Sequence, residues 1–158
     1  MISIIEFAPF YIFVVLGALL SWVDVKTHRL PNQANFILAT LVLLIEMGWA
    51  VISNQWVRVL STFQVLAYII CIFCTLYLLS RGQLGMGDVK FAIACALIIG
   101  WYCSQNWLVI VWLMFSLAGL FSAGLLVLGR LNRKTAIAFG PFMYLAVVIG
   151  VGYSLFSV

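Results

Sequence analysis

Five long apolar stretches alternate with short polar segments along this chain. They cover residues 7–23, 36–52, 59–79, 107–129 and 136–158. Because an α-helix rises 1.5 Å per residue, each stretch can cross a hydrocarbon core about 30 Å thick, given some slack at its ends. The pattern therefore predicts membrane-spanning helices.

A sixth apolar stretch, residues 91–103, is shorter than the others. It can cross the membrane only if its helix begins earlier, near Gly87 or Asp88, which brings a carboxylate to the membrane boundary. With this helix included, the predicted fold is all-α: a polytopic membrane protein with six transmembrane helices. We expect residues 1–158 to form a single transmembrane domain.

Composition supports this fold and excludes other classes. Of the 158 residues, 66% are hydrophobic and only 8% are charged, which is too few charges to cover a water-soluble domain. The basic residues lie in short gaps between apolar stretches and do not form one polar face, so we expect no nucleic-acid binding. The first stretch has neither a preceding basic residue nor a small-residue cleavage site, so it does not resemble a removable signal peptide.

The distribution of basic residues predicts the orientation. With six crossings, the first, third and fifth gaps share one side and hold seven of the eight basic residues, whereas the second gap holds only Arg58. The positive-inside rule then places those three gaps in the cytoplasm and both termini outside. Without a crossing at residues 91–103 this bias disappears. The seven residues are Lys26, Arg29, Arg81, Lys90, Arg130, Arg133 and Lys134.

The chain has four carboxylates, and the predicted topology brings two of them together. Asp24 closes the first helix and Asp88 opens the fourth, so these residues, 88 − 24 = 64 positions apart, both lie at the cytoplasmic boundary. Glu6 lies at the outer start of the first helix. Glu46 lies towards the outer end of the second helix, where it could pair with a polar group or snorkel outward.

Two neighbouring aspartates can activate water for peptide hydrolysis. One ionised carboxylate takes a proton from water while its protonated neighbour polarises the scissile carbonyl, and no covalent nucleophile is needed. The simpler interpretation is that Asp24 flanks a helix end and Asp88 caps a helix N-terminus, and position alone does not decide between the two. The only histidine, His28, lies in a basic turn, and we expect it to be a solvated loop residue rather than a catalytic base.

Local sequence favours the catalytic interpretation. Asp88 lies in Gly-Met-Gly-Asp-Val-Lys, residues 85–90, where two glycines let backbone approach closely. Asp24 is followed after five residues by Leu30, Pro31 and Asn32, which should end the helix and shape the turn into the second crossing. A single GxGD motif is weak evidence, but the two segments in this order are specific.

These motifs resemble those of the type IV prepilin peptidase family, which pairs an aspartate in a D-x5-L-P-N segment with another in GxGDxK. Residues 139–142, Phe-Gly-Pro-Phe, resemble a further element of the family. The resemblance implies that Asp24 and Asp88 are catalytic and that the chain removes short basic leaders from prepilin or pseudopilin precursors. The implied location is the inner membrane of a bacterium or archaeon, with the active site facing the cytoplasm. We expect membrane lipid as the other partner.

The supporting residues of the site are predicted from the same segments. They are Gly85, Gly87, Lys90, Pro31, Asn32, Gly140 and Pro141. Lys90 could hold Asp88 ionised or contact substrate, or it could reach lipid phosphates. Pro141 should loosen the last helix near its cytoplasmic end, where it could open a groove for substrate or form an ordinary helix kink. The four cysteines show no paired ligand motif, so the sequence predicts no metal and no cofactor.

Three other functions are compatible with boundary carboxylates. A proton-coupled transporter could use Asp24 and Asp88, but no internal repeat supports it. A presenilin-type intramembrane protease shares GxGD but places its other aspartate differently, and a scaffold leaves both acids unexplained. Longer members of the prepilin peptidase family carry a cysteine-containing methyltransferase region. We expect this chain to cleave its precursors without methylating the new N-terminus.

Overall fold

The computed structural model describes residues 4–27, 30–80, 84–129 and 138–156, and these residues form six α-helices and no strand. A short 3₁₀ turn, Ile4–Phe7, leads into the first helix. The helices are α1 (Ala8–Thr27), α2 (Asn32–Ser53), α3 (Trp56–Leu79), α4 (Met86–Cys103), α5 (Trp107–Val127) and α6 (Gly140–Phe156). The predicted all-α fold is confirmed.

Five of these helices, α1 to α5, are long and apolar enough to cross a membrane, and α6 is apolar but shorter. Helix α4 begins at Met86, before the apolar stretch 91–103, as we predicted for a helix that crosses the membrane there. Helix α1 continues beyond the first apolar stretch, residues 7–23, and ends at Thr27. Asp24 is therefore one turn inside the helix and does not close it.

Helix α4 is the centre of the bundle. It packs against α2, α3 and α6, and most of its side chains are buried on every side, which is typical of a helix that is apolar all round. Gly100 allows a close approach to α3, because a Cβ there would lie 2.6 Å from the Cα of Thr62. Asp88, in the first turn of α4, is thereby carried by the most enclosed helix of the protein.

Polar contacts fix which helix ends lie together. Arg58, in the first turn of α3, donates to Glu6 at a distance of 2.6 Å, and Tyr102 near the end of α4 donates to the backbone carbonyl of Glu6. The starts of α1 and α3 and the end of α4 are therefore neighbours. The opposite end of the bundle holds the end of α1, with Asp24, and the start of α4, with Asp88.

Two expectations about single residues, those for Glu46 and Pro141, are wrong. Glu46 neither pairs nor snorkels: it is 0% exposed, and neither carboxylate oxygen has a hydrogen-bond partner among the described residues. Pro141 does not loosen a helix interior, because Ala138 and Phe139 are not helical and α6 begins at Gly140. A proline in the first turn removes no intrahelical hydrogen bond, so it starts α6 without a kink.

Candidate active site

The carboxylate of Asp24 is enclosed between α1 and α6. Its side chain is only 4% exposed, although its neighbours Val23 and Val25 on α1 are exposed. Oδ2 of Asp24 accepts a hydrogen bond from the backbone N–H of Gly140 at 2.9 Å. Gly140 is the first residue of α6, where backbone N–H groups have no partner inside the helix, so this contact satisfies one of them with a carboxylate.

Glycine at position 140 is required by this contact. A Cβ there would lie 2.8 Å from Oδ2 of Asp24, which is closer than real Cβ atoms approach, so the carboxylate or the backbone would have to shift. Pro141 follows directly and fixes the backbone of the first turn of α6. The Phe-Gly-Pro-Phe element thus has a structural role at the site: its glycine lets a helix N-terminus reach Asp24.

Asp88 is held at the start of α4 by a local cap. Its own N–H donates to the carbonyl of Gly85 at 3.0 Å, and the N–H of Gly85 donates back to the Asp88 side chain. This is the acidic half of a capping box, in which the third helical residue reaches the N-cap. A Cβ on Gly85 would lie 3.1 Å from Oδ2 of Asp88, so the first glycine of the motif makes room for the carboxylate.

The two carboxylates lie near enough for the charge of Asp24 to act on Asp88. Asp24 comes from the last turn and a half of α1 and Asp88 from the first turn of α4, so antiparallel packing brings the two positions to the same end of the bundle. Asp88 is partly exposed, whereas Asp24 is buried. The pair is therefore accessible from solvent at Asp88, whereas Asp24 is enclosed by the protein.

The second glycine of the motif, Gly87, packs against the turn between α1 and α2. A Cβ on Gly87 would lie 3.0 Å from the Cβ of Leu30 and 3.4 Å from its backbone N and O. Leu30 is buried, at 7% exposed. The Leu30 and Gly87 positions of the two motifs thus fit together directly, which sets the distance between α4 and the segment that follows Asp24.

Asn35 is a site residue that sequence reasoning missed. It is 1% exposed, and its Nδ2 donates to the carbonyl of Gly87 at 3.2 Å, which ties α2 to the first turn of α4. Pro31 is the N-cap of α2 and its carbonyl accepts the N–H of Asn35, so the proline starts the helix that carries this amide. An asparagine one turn into a membrane helix was the available signal, because an amide in that position needs a partner.

The structure does not bring Lys90 to the carboxylate pair. Its Nζ donates to Oδ1 of Asn32 at 2.8 Å. Since successive residues are about 100° apart around a helix, Lys90 points about 200° away from Asp88, to the other side of α4. Lys90 and Asn32 therefore form their own contact at the same end of the bundle as the pair.

Other candidate groups do not join the aspartates. Within the described ranges, no cluster of three or more His, Cys, Asp or Glu side chains could hold a metal ion. The four cysteines, Cys71, Cys74, Cys95 and Cys103, are not disulfide-bonded, and only the last two are buried. His28 lies outside the residues that the structure describes, as do five of the eight basic residues.

Comparison with known protein families agrees with this arrangement. The sequence profile of the type IV leader peptidase family matches residues 11–128, well over half of the chain. The chain belongs to that family. Neither a search of curated proteins nor a search of solved structures found a match.

The family assignment confirms the resemblance to prepilin peptidases and makes the chain a multi-pass member of the type IV leader peptidase family. The matched range contains both aspartates and both of the motifs that surround them. It ends before α6, so Gly140 and Pro141 join the site through the structure and not through the family match.

Proposed function

We propose that this leader peptidase is an aspartic endopeptidase in which Asp24 and Asp88 activate water to remove the short basic leader of prepilin-like or pseudopilin-like precursors. The observation that carries the proposal is the pairing of the two carboxylates, 64 positions apart in sequence (88 − 24), at one end of the bundle. Each carboxylate is also held by a backbone N–H, from Gly140 and from Gly85. A fixed and partly enclosed pair is what a shared-proton mechanism needs.

In this mechanism the pair holds one proton. The ionised aspartate takes a proton from a water molecule, whose oxygen attacks the scissile carbonyl carbon, while the protonated aspartate donates to the carbonyl oxygen. A tetrahedral intermediate forms. The aspartate that accepted the proton then gives it to the leaving nitrogen, and the C–N bond breaks while a hydroxyl of the intermediate returns a proton to the other aspartate, so the pair again holds one proton.

Access and charge support a substrate that approaches from the polar side of the membrane. Asp88 is the more exposed of the two acids, and Gly85 and Met86 beside it are exposed, so the site opens at the end of the bundle rather than towards its core. Seven of the eight basic residues belong to gaps on this side. By the positive-inside rule we assign the site to the cytoplasmic face of a bacterial or archaeal inner membrane.

This location suits a precursor with a polar leader and an apolar stem. The stem lies in the bilayer, the leader lies in the cytoplasm, and the bond between them is at the membrane boundary. The carboxylate pair lies at the corresponding ends of α1 and α4. A basic leader also has favourable electrostatics beside two acids.

The direct test replaces each aspartate by asparagine, which keeps its shape but removes the ionisable proton. Each of Asp24→Asn and Asp88→Asn should lower the rate of leader removal by a factor of about 10²–10⁴, measured by mass after co-expression with candidate precursors from the same genome. Glu6→Gln, a matched change at the opposite end of the bundle, should retain cleavage. Membrane insertion and a monodisperse elution profile confirm that each variant folds. Normal cleavage by either folded aspartate variant would contradict the proposal.

A further inference from the structure

An apolar groove of about 520 Å³ lies between α2, α3 and α4. Its walls are formed mainly by aliphatic and aromatic side chains, including Ala39, Leu43, Leu66, Ile93 and Leu97. Phe36 at its rim is 73% exposed, so the groove opens on the lateral surface of the bundle. In a membrane protein that surface faces the hydrocarbon core.

One end of the groove is polar. Lys90 and Asn32 line it there, and the Lys90 ammonium donates to the Asn32 side chain at 2.8 Å. In the described part of the chain, no carboxylate lies within ion-pair distance of Lys90. An ammonium has three donors, so Lys90 can bind an anion while it keeps its contact with Asn32.

The groove lies on the other side of α4 from the carboxylate pair, and it meets the site only at Asn35, which lines it and donates to the carbonyl of Gly87. It is lined by residues of α2, α3 and α4, and by none from α1 or α6, which hold Asp24 and Gly140. On α4 itself, Lys90, Ile93 and Leu97 lie on the side away from Asp88, since they follow it by two, five and nine residues at about 100° each. A substrate stem bound in this groove would be on the wrong side of α4 for cleavage.

We infer that this groove binds an anionic phospholipid, with the phosphate at Lys90 and Asn32 and one acyl chain along the apolar walls. The groove has the same arrangement as a phospholipid. Its cation lies at the membrane boundary, where the phosphate would be, and its apolar walls extend from there into the hydrocarbon region, where the acyl chain would be. From Lys90 to Leu97 the groove follows two turns of α4, which is about 10 Å along the helix axis. Basic pockets between transmembrane helices at the cytoplasmic side are recognised as sites for anionic headgroups.

The test is native mass spectrometry of the full purified chain in detergent, titrated with phosphatidylglycerol or with phosphatidylcholine of the same acyl chains. The wild type should form a one-to-one adduct with a clear preference for phosphatidylglycerol. Lys90→Gln should reduce that preference about fivefold, the effect of one basic residue on an anionic lipid. Ala39→Phe fills the groove and should lower the retention of both lipids.

The matched control is Lys26→Gln. Lys26 is also basic and lies at the same end of the bundle, but it belongs to α1, where its ammonium lies 4.8 Å from the centre of the Trp22 ring. This variant should keep the wild-type preference. The inference is overturned if the wild type retains both lipids equally, if Lys90→Gln keeps the preference, or if Lys26→Gln loses it to the same extent.

A further outcome would reassign the groove. If Lys90→Gln and Ala39→Phe left lipid retention unchanged but raised the KM for a precursor, the groove would belong to the substrate and the inference would be wrong. Because Lys90 is partly exposed, Lys90→Gln should fold even if Ala39→Phe does not. The readout is lipid binding, so loss of cleavage in the aspartate variants leaves this test unaffected.

Discussion

The backbone N–H of Gly140 lies 2.9 Å from Oδ2 of Asp24 and joins the start of α6 to the last turns of α1. The contact connects two residues that are 140 − 24 = 116 positions apart. It supplies a helix N-terminus, with its partial positive charge, to a buried carboxylate. Asp24 is thereby held by an element that lies beyond the range matched by the family profile.

Gly140→Ala tests whether the contact between α6 and Asp24 positions the carboxylate for catalysis. The new Cβ would lie 2.8 Å from Oδ2 of Asp24, so either the carboxylate or the first turn of α6 must move. A shift of about 1 Å in a catalytic group can cost about a hundredfold in rate, and we expect a loss of that order in leader removal. The rate is measured on purified protein with a precursor peptide.

Gly119→Ala is the control for this substitution. Gly119 lies in α5, is exposed, and has no atom within 4 Å of the added Cβ. Its cleavage rate should equal that of the wild type. A Gly140→Ala variant that cleaves as fast as Gly119→Ala would show that the contact with α6 does not position Asp24.

Gly87→Ala should disturb the site from the other side. The added Cβ would lie 3.0 Å from the Cβ of Leu30, and the backbone of Leu30 is 3.4 Å away, so α4 must move slightly from the turn that follows α1. Because Asp88 is the next residue and a small displacement of a catalytic group lowers the rate, we expect a loss of kcat on the order of tenfold or more. Gly48→Ala, on an open part of α2, should leave kcat unchanged. Equal kcat values for the two variants would contradict this account.

Glu46 provides a test of stability that is independent of catalysis. Its carboxyl group is completely buried and both oxygens lack a hydrogen-bond partner among the described residues, which costs about 1–3 kcal/mol. Glu46→Met replaces the acid with an apolar side chain of similar length and should raise the melting temperature in detergent. Leader removal should continue, because Glu46 lies towards the opposite end of the bundle.

The contrasting variant is Glu6→Met. Glu6 is paired with Arg58 at 2.6 Å, so removing its carboxylate should leave the melting temperature unchanged or lower it. A fall in melting temperature for Glu46→Met would show that the Glu46 carboxyl makes a stabilising interaction in the membrane. Differential scanning fluorimetry on both proteins in one detergent gives the comparison.

The proposed orientation can be measured by cysteine labelling in a background with all four native cysteines replaced by alanine. Gln105→Cys, in the exposed turn after α4, should react with a membrane-impermeant maleimide added to intact cells. Lys26→Cys, at the exposed end of α1, should react only after the cells are opened. The reverse pattern would place the carboxylate pair outside and contradict the positive-inside assignment.

The amino-acid sequence by itself determined the helices and the placement of the two aspartates at the same side of the membrane. Apolar stretches of spanning length must form helices in a bilayer, because every backbone N–H and carbonyl needs an internal partner there. Alternation of the crossings then brings the end of α1 and the start of α4 to one face. The motifs around Asp24 and Asp88 were sufficient for the family, which the profile match confirms.

Tertiary structure alone decided which faces of these helices pack together. In water, a polar face marks the outside of a helix, but lipid is as apolar as a protein core, so the sequence pattern does not separate buried from lipid-facing residues. The sequence therefore did not reveal that α4 is central, that Glu46 is fully buried, or that Asn35 holds the start of α4. It also did not reveal that Gly140 contacts Asp24, because that contact depends on how α6 packs against α1.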